Sequence, residues 1–133
     1  MTLMRTTDGH GVGPMYVAYS HDDCATWSKP VIFDDLGVYP ILPTLKNGVT
    51  LATYGRPGLY LRATADPSGR AWDDRVALIM PAPVFQEDTR AYTGMITVSD
   101  DTVYLVYSDF RQPNAEGKPV KTIMGRWIRA ERA

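Results

Sequence analysis

The hydrophobic positions of this chain fall in short runs that alternate with polar residues. Val, Ile, Thr and Tyr dominate the runs, and Gly, Pro, Asn or Asp fill the gaps, a pattern that predicts β-strands joined by turns. An Asn-Gly pair at 47–48 is the strongest short signal for a hairpin. No segment keeps a 3.6-residue period over three turns, so no long helix is predicted. The predicted strands are 15–20, 31–33, 41–45, 49–54, 59–64, 75–79, 93–98, 102–108 and 122–128.

The run at 102–108 has apolar or aromatic side chains at consecutive positions. Because side chains alternate between the faces of a strand, Val103, Leu105 and Tyr107 point one way. Tyr104 and Val106 point the other way. A sheet that is covered on both faces has this pattern, and we expect such packing here.

A longer segment occurs twice, at 19–33 and at 62–79, with an offset of 44 to 45 residues. Each copy lies between an incoming and an outgoing predicted strand. A repeat of roughly 40–50 residues with about four strands is typical of a β-propeller blade. The chain would hold about three such units, and we place them at 1–36, 37–81 and 82–133.

Composition and charge exclude several kinds of partner. A chain of 133 residues predicts one domain, here a single partial propeller. The net charge is −1 without a basic run, so nucleic acid is not an expected partner. No run approaches the ~18 apolar residues of a membrane span. The sequence shows no signal peptide, and its single cysteine excludes an internal disulfide, so the compartment stays open.

The repeated segment resembles a known motif. Its first copy resembles the Asp-box of sialidases and related bacterial-neuraminidase-repeat propellers, whose pattern is Ser-x-Asp-x-Gly-x-Thr-Trp. The second copy is looser and one residue longer. The matching positions are Ser20, Asp22, Thr26 and Trp27 in the first copy and Thr64, Asp66, Gly69 and Trp72 in the second. In such boxes the aspartate accepts backbone N–H bonds across a turn and the tryptophan packs beneath it, so these residues would be structural.

The resemblance implies an all-β, six-bladed propeller of which this chain is similar to the C-terminal half. A half propeller exposes blade faces and strand edges that natural proteins avoid exposing. Two expectations follow and stay open. Either the chain belongs with a missing N-terminal half, or two copies assemble as a homo-oligomer in which three blades join three.

The resemblance also implies a reaction and a carbohydrate ligand. In sialidases three arginines bind the substrate carboxylate, a tyrosine assisted by a glutamate attacks the sugar, and an aspartate is the acid/base. Arg5 and Arg56 resemble two of the arginines, and Tyr92 resembles the nucleophile. Tyr54 and Tyr60 flank the loop that carries Arg56 and would line the same pocket. The first arginine, the aspartate and the glutamate would lie upstream.

The chemistry explains why the family needs these residue types. The substrate carries a carboxylate at its reacting carbon, so a neutral phenol avoids the repulsion that a carboxylate nucleophile would meet. Tyrosine has a pKa of about 10 and therefore needs an activating base. Arginine binds a carboxylate in two-point geometry and stays charged.

Plainer roles stay open for the same residues. Arg5 could form a surface or inter-blade ion pair, Tyr92 could be a packing residue, and Arg62 is expected to be structural. For the whole chain, the rivals of a sialidase-like hydrolase are a non-catalytic carbohydrate-binding propeller and a structural half propeller that self-assembles.

No metal or other cofactor is expected. His10 and His21 lack the ligand spacing of a zinc site. Asp8 is predicted to be a turn residue. Cys24 stands where the Asp-box has glycine, a residue that adopts backbone shapes other residues resist. We therefore expect Cys24 to be an unpaired thiol in a slightly strained turn.

Overall fold

The computed structural model describes residues 1–6 and 12–132, and these residues form an all-β structure. Asp8 and His10 lie outside the described residues. In the described part there is no helix long and apolar enough to cross a bilayer. In chain order, strands β1 to β10 are Thr2–Arg5, Met15–Ala18, Val31–Asp34, Val38–Ile41, Thr50–Gly55, Leu59–Thr64, Val76–Ile79, Thr93–Thr97, Thr102–Pro113 and Pro119–Arg129.

The strands form three antiparallel sheets. The first sheet has the order β1-β2-β3, the middle sheet β4-β5-β6-β7, and the third sheet β10-β9-β8. Strands that follow each other in sequence are neighbours within each sheet, as expected when short turns connect them. The predicted all-β class is therefore confirmed. The sheets fall one each within residues 1–36, 37–81 and 82–133.

The middle sheet lies between the other two and forms the core with both. On one side, Tyr54 and Tyr60 pack with Met15 and Val17 of the first sheet. On the other side, aliphatic residues of β5 and β6 pack with β9 of the third sheet. The first strand of each sheet also contacts that of the next, β1 with β4 and β4 with β8. The three sheets therefore pack face to face in series, and their first strands lie close together.

Most of the strand predictions agree with the structure in position. Strand β6 matches the prediction at 59–64, and 76–79 is a strand. The predicted strand at 41–45 is wrong because β4 ends at Ile41 and only an isolated bridge, Thr44 to Thr50, follows it. Pro43 has no N–H for a ladder bond, which explains the early end. Strand β1 was not predicted, and β9 and β10 are longer than the strands predicted at 102–108 and 122–128.

The prediction that the third sheet is covered on both faces is wrong for the described chain. Val103, Leu105 and Tyr107 are buried against the middle sheet, as their alternation predicts. On the opposite face, Val106 is 37% exposed and Tyr104 is only partly buried. Because no described element lies over that face, the third sheet ends the stack with apolar residues in the open.

The first Asp-box-like turn joins β2 to β3 and is built by side-chain bonds. Asp22 accepts the Thr26 N–H at 2.9 Å and the Thr26 hydroxyl at 2.5 Å. Ser20 Oγ accepts the Cys24 N–H at 2.9 Å. These are the turn bonds that the motif implies. Trp27, by contrast, is 43% exposed, so it covers the turn only in part.

The second such turn joins β6 to β7 in a similar way. Asp66 accepts the N–H groups of Ser68 at 2.9 Å and of Ala71 at 3.0 Å. Trp72 donates its indole N–H to the Gly69 carbonyl at 2.8 Å, and its ring packs on that of Phe33 at 5.2 Å. Both turns connect the last two strands of their sheets.

Replacement of Cys24 by glycine should leave the protein equally stable or stabilise it by up to about 1 kcal/mol. The φ of Cys24 is +70°, close to the +65° of Gly69 in the second turn, and its thiol is free and exposed. Glycine removes the strain of the left-handed conformation, which offsets the entropy it adds to the unfolded chain. Urea unfolding measures the difference. The control Ala25→Gly, at a position without positive φ, should destabilise, and a loss in Cys24→Gly as large as in this control would contradict the interpretation.

The first turn should also make stability depend on pH in acid. Hydrogen bonds from the Thr26 hydroxyl and N–H lower the pKa of Asp22 to about 2. A carboxyl whose folded pKa lies below its unfolded value stabilises above about pH 4, and this contribution is lost as the pH falls towards 2. The difference in unfolding free energy between the wild type and Asp22→Asn should therefore shrink over that range. A difference that is constant from pH 6 to pH 2 would show that the carboxylate does not hold the turn.

Candidate functional site

The loop between β5 and β6 carries Arg56 and is folded tightly. The Arg56 N–H donates to the Gly58 carbonyl at 3.1 Å. A Cβ on Gly55 would lie 2.2 Å from that carbonyl oxygen and 2.7 Å from the Cβ of Ala91. Only glycine allows so close an approach. The loop is therefore pressed against the segment that leads into Tyr92.

A buried carboxylate fixes the loop to that segment. Asp88 is 1% exposed, and its Oδ2 accepts the Gly58 N–H at 2.6 Å. Its Oδ1 accepts the Thr89 N–H at 2.7 Å, and Oδ2 also accepts the Ala82 N–H at 3.4 Å. Sequence reasoning missed Asp88 because an aspartate in a polar, proline-rich stretch is normally solvent-exposed.

The guanidinium of Arg56 is buried and has no counter-ion in the described part of the chain. Arg56 is 8% exposed, and its Nη2 donates to the Arg90 carbonyl at 3.2 Å. Its Nε is buried and has no hydrogen-bond partner. Among residues 1–6 and 12–132, no ion pair includes Arg56. A buried charge is costly unless it is paired, and within residues 1–6 and 12–132 this side chain has no anion to stabilise it.

One open aromatic ring lies beside Arg56, and a second packs against the first. Its guanidinium carbon is 5.6 Å from the ring centroid of Tyr92, which is 51% exposed. Tyr39, 46% exposed, packs edge-on against Tyr92 with the ring centroids 4.8 Å apart. The structure thus brings the predicted residues Arg56 and Tyr92 together and adds Tyr39. Sequence reasoning missed Tyr39 because its contact depends on the approach of β4 to the chain entering β8.

Backbone strain coincides with this group, which we call the Arg56 cluster (Tyr39, Arg56 and Tyr92). The φ angles are +76° at Arg56, +54° at Tyr39 and +60° at Ala91, next to Tyr92. Such conformations cost about 1–3 kcal/mol each for residues other than glycine and often accompany functional sites. The fold therefore holds the cluster in place against local preference.

The structure does not add Arg5 to the cluster. Arg5 is exposed at the end of β1, where it is paired with Met15 in the ladder. Among the described residues no hydrogen bond, ion pair or ring contact joins Arg5 to Arg56, Tyr39 or Tyr92. Its role as a second carboxylate-binding arginine stays a prediction.

The other two tyrosines named from the sequence lie in the core. Tyr54 has no exposed surface, and its hydroxyl donates to Asp34 at 2.5 Å. Burial and this bond raise the pKa of Tyr54 well above its ordinary value. Tyr60 is 6% exposed and packs on Tyr54 with ring centroids 6.0 Å apart. The expectation that Tyr54 and Tyr60 line the pocket is therefore corrected, because rings so deeply buried pack the core instead of meeting a ligand.

Two other arginines show what a satisfied guanidinium looks like in this fold. Arg62 donates from Nε to the Asp73 carbonyl at 2.8 Å and from Nη1 to the Phe33 carbonyl at 3.2 Å. Arg111 donates from Nε and Nη2 to Asp109 at 3.0 and 2.9 Å. The bond to Arg111 lowers the pKa of Asp109 to about 2. Arg62 is thus structural, as expected, and Arg111, beside a cleft of about 600 Å³, already has its anion.

Comparisons with known proteins add no assignment. Among the described residues no group of three or more His, Cys, Asp and Glu side chains could hold a metal ion. No family model matches the chain, and neither a curated protein nor a solved structure matches it significantly. What distinguishes the Arg56 cluster is therefore its geometry, a buried and unpaired cation beside open aromatic surface, which suits an anionic ligand.

Proposed function

We propose that the Arg56 cluster binds the carboxylate of a terminal anionic sugar such as sialic acid. The observation that carries this proposal is the buried Arg56 Nε that has no partner. A carboxylate accepts parallel N–H bonds from one guanidinium, and such charge-assisted bonds are about twice as strong as neutral ones. Protein atoms cover the Nε in the free protein, so a carboxylate would reach it only if the covering side chains move aside; bound there, it would satisfy both the open donor and the unpaired charge.

The aromatic rings fit the remainder of a sugar better than a small inorganic anion. Tyr39 and Tyr92 are about half exposed, their rings pack together, and the Tyr92 ring centroid lies 5.6 Å from the guanidinium carbon. Sites for organic ligands combine apolar or aromatic lining with a few placed polar groups. The sugar ring would lie along these tyrosines while its carboxylate meets Arg56.

The arrangement also supports a sialidase-like glycoside hydrolase in which Tyr92 attacks the anomeric carbon. The Tyr92 ring lies beside the group that would hold the substrate carboxylate. Its hydroxyl needs a base, and its ring neighbours Arg56 and Tyr39 carry neither a carboxylate nor an imidazole. The assisting glutamate, the acid/base aspartate and further arginines would come from blades outside this chain, with Arg5 as a candidate second arginine.

Three features support the propeller in which this site would lie. Three antiparallel sheets pack side by side, their first strands are in contact, and two of them carry Asp-box-like turns between their last two strands. In such a propeller the first strands surround the central axis. The Arg56 cluster includes a residue of β4 and one directly before β8, consistent with a central site.

Saturation-transfer NMR with the α-methyl glycoside of sialic acid tests the proposal. We expect this ligand to bind and methyl galactoside, which has no carboxylate, to bind at least 10-fold more weakly. Equal binding of the two, or binding of neither, would refute a carboxylate site. A non-catalytic carbohydrate-binding propeller predicts the same binding preference, so turnover must separate it from an enzyme.

Hydrolysis of a fluorogenic sialoside makes that separation. From this chain alone we expect binding without turnover, because no carboxylate contacts Tyr92 among the described residues. In a complex with the missing blades, a hydrolase should turn the substrate over, and Tyr92→Phe should abolish turnover while binding changes less than 3-fold. Turnover that survives in Tyr92→Phe would exclude Tyr92 as the nucleophile.

A further inference from the structure

The outer face of the third sheet is apolar and open. One row across its strands consists of Ile96, Tyr104 and Trp127, since β8 and β10 both pair with β9 at Tyr104. Ile96 is 65% exposed and Trp127 67% exposed. The next row places Val106 between two glycines. Contiguous apolar surface of this kind marks an interaction site more often than a free surface.

This face is already flat. The ring of Tyr104 packs on that of Trp127 with centroids 4.8 Å apart. Tyr104 also lies over Gly125, where a Cβ would come within 1.9 Å of the Tyr104 hydroxyl oxygen. Glycine at 125 therefore lets the tyrosine lie down on the sheet. The aromatic surface is preformed for a second sheet.

The middle sheet has an equivalent face, and there it is covered. Strands β5 and β9 each follow a hairpin turn, and Tyr54 and Tyr107 occupy equivalent positions on them. Both tyrosines point towards the preceding sheet. Their neighbours Thr53 and Val106 consequently point the other way. Thr53 is fully buried and its hydroxyl lies 2.9 Å from that of Thr93 in the third sheet. The open face of the third sheet thus corresponds to a face that packs on a further sheet within the chain.

The opposite end of the stack has the complementary face. On the outer side of the first sheet, Tyr16 lies between Met4 and Ile32, and Ile32 is 62% exposed. Tyr16 lies four residues before Ser20 of the first Asp-box-like turn, and Tyr60 lies four residues before Thr64 of the second, so the two tyrosines occupy equivalent positions. Tyr60, with its row neighbours on β5 and β7, packs on the first sheet. The outer face of the first sheet therefore corresponds to the middle-sheet face that receives a preceding sheet.

We propose that the open face of the third sheet in one copy binds the open face of the first sheet in a second copy. Sheets of this chain already pack on one another at two places, first on middle and middle on third. The two open faces are equivalent to the two faces that meet in each of these contacts. The two central rows, Ile96-Tyr104-Trp127 and Met4-Tyr16-Ile32, contain no charged side chain that would oppose the contact. The contact is head-to-tail, so each copy offers one face of each kind. Carboxylate binding by the Arg56 cluster does not depend on this contact, but a second copy would occupy the same outer faces as the further blades that the proposed hydrolase needs, so those two assemblies exclude each other.

A pair of single substitutions tests the contact by sedimentation velocity. Trp127→Lys places a charge on the third-sheet face, and Ile32→Lys places one on the first-sheet face. Burial of an unpaired charge is costly, so each variant alone should sediment as a monomer. Each variant retains the face that the other has lost. Mixed at equal concentration, they should form a complex with the mass of two chains, whereas the wild type should assemble without a partner variant.

The control is Phe85→Lys, in the loop between β7 and β8, where the side chain is 46% exposed and on neither face. This variant should assemble like the wild type. Circular dichroism and thermal unfolding check that all three variants stay folded. A monomeric wild type, a mixture that stays monomeric, or association that only one of the two face variants disrupts would overturn the head-to-tail contact. The last result would show a symmetric contact between like faces or a different partner surface.

Discussion

Arg56→Met should bind a sialic acid glycoside about 100-fold more weakly than the wild type and yet be equally stable or more stable. Loss of the charge-assisted bonds to the carboxylate costs about 2.7 kcal/mol at that ratio. Stability should rise by up to about 2 kcal/mol, because removing a buried charge that has no counter-ion among the described residues outweighs the loss of its one bond, to the Arg90 carbonyl, and methionine fills a similar volume. Calorimetric titration and urea unfolding of the same samples measure the two effects.

Arg62→Met is the matched control, because Arg62 is an arginine whose donors are satisfied within the fold. It should lose about 1–3 kcal/mol of stability, since the carbonyls of Asp73 and Phe33 lose their donors, and it should bind the sugar like the wild type. Arg56 would be reclassified as a structural arginine if its replacement destabilised the protein as much as that of Arg62 without weakening the binding of the sugar.

Asp88→Ala should destabilise the protein by about 3–5 kcal/mol, a large share of the 5–15 kcal/mol that folded domains possess. The substitution leaves the N–H groups of Gly58 and Thr89 buried without their acceptor. It also releases the loop that positions Arg56, so the sugar should bind more weakly in the fraction that stays folded. The midpoint of urea unfolding reports the loss of stability.

Asp100→Asn provides the comparison for Asp88. Asp100 forms an ion pair with Lys46 at 3.1 Å, and the two side chains are 73% and 80% exposed. Exposed pairs of this kind contribute little, so the change should stay within about 0.5 kcal/mol. Equal effects of the two substitutions would show that Asp88 does not anchor the loop.

The sequence was sufficient for the parts of the fold that depend on local patterns. Alternation over a few residues predicts β6 and the buried side of β9, and the Asn-Gly pair predicts the turn before β5. The repeated Asp-box-like segments predict turns that side-chain oxygens close within a few residues. Local bonds of this kind need no knowledge of the rest of the chain, which is why Asp22 and Asp66 were assigned correctly as turn residues.

The site was predictable only in part, because it forms where distant segments meet. The family resemblance pointed to Arg56 and Tyr92, but Tyr39 and Asp88 join them only through the packing of β4 and the chain before β8. Tyr54 illustrates the opposite error. Its place beside the Arg56 loop suggested a ligand contact, whereas its position on β5 turns the ring towards the first sheet.

The side-chain alternation in β9 predicts burial of both of its faces, but a single chain buries only one of them. Apolar residues on both faces predicted cover on both sides, and the structure covers only the side of Val103, Leu105 and Tyr107. Side-chain periodicity reports that a face is suited to burial but not which polypeptide buries it. The proposed contact between copies would supply the missing cover.

The Nε–H resonance of Arg56 tests the central claim most directly. In a ¹H–¹⁵N NMR spectrum it is assigned by its absence from Arg56→Met, and the Arg62 Nε–H, already bonded to the Asp73 carbonyl, serves as the internal reference. On titration with the α-methyl glycoside of sialic acid, the Arg56 signal should shift downfield in step with binding while the Arg62 signal stays in place. A sugar that binds without moving the Arg56 signal, or a signal that already shows a bonded Nε–H in the free protein, would contradict the account.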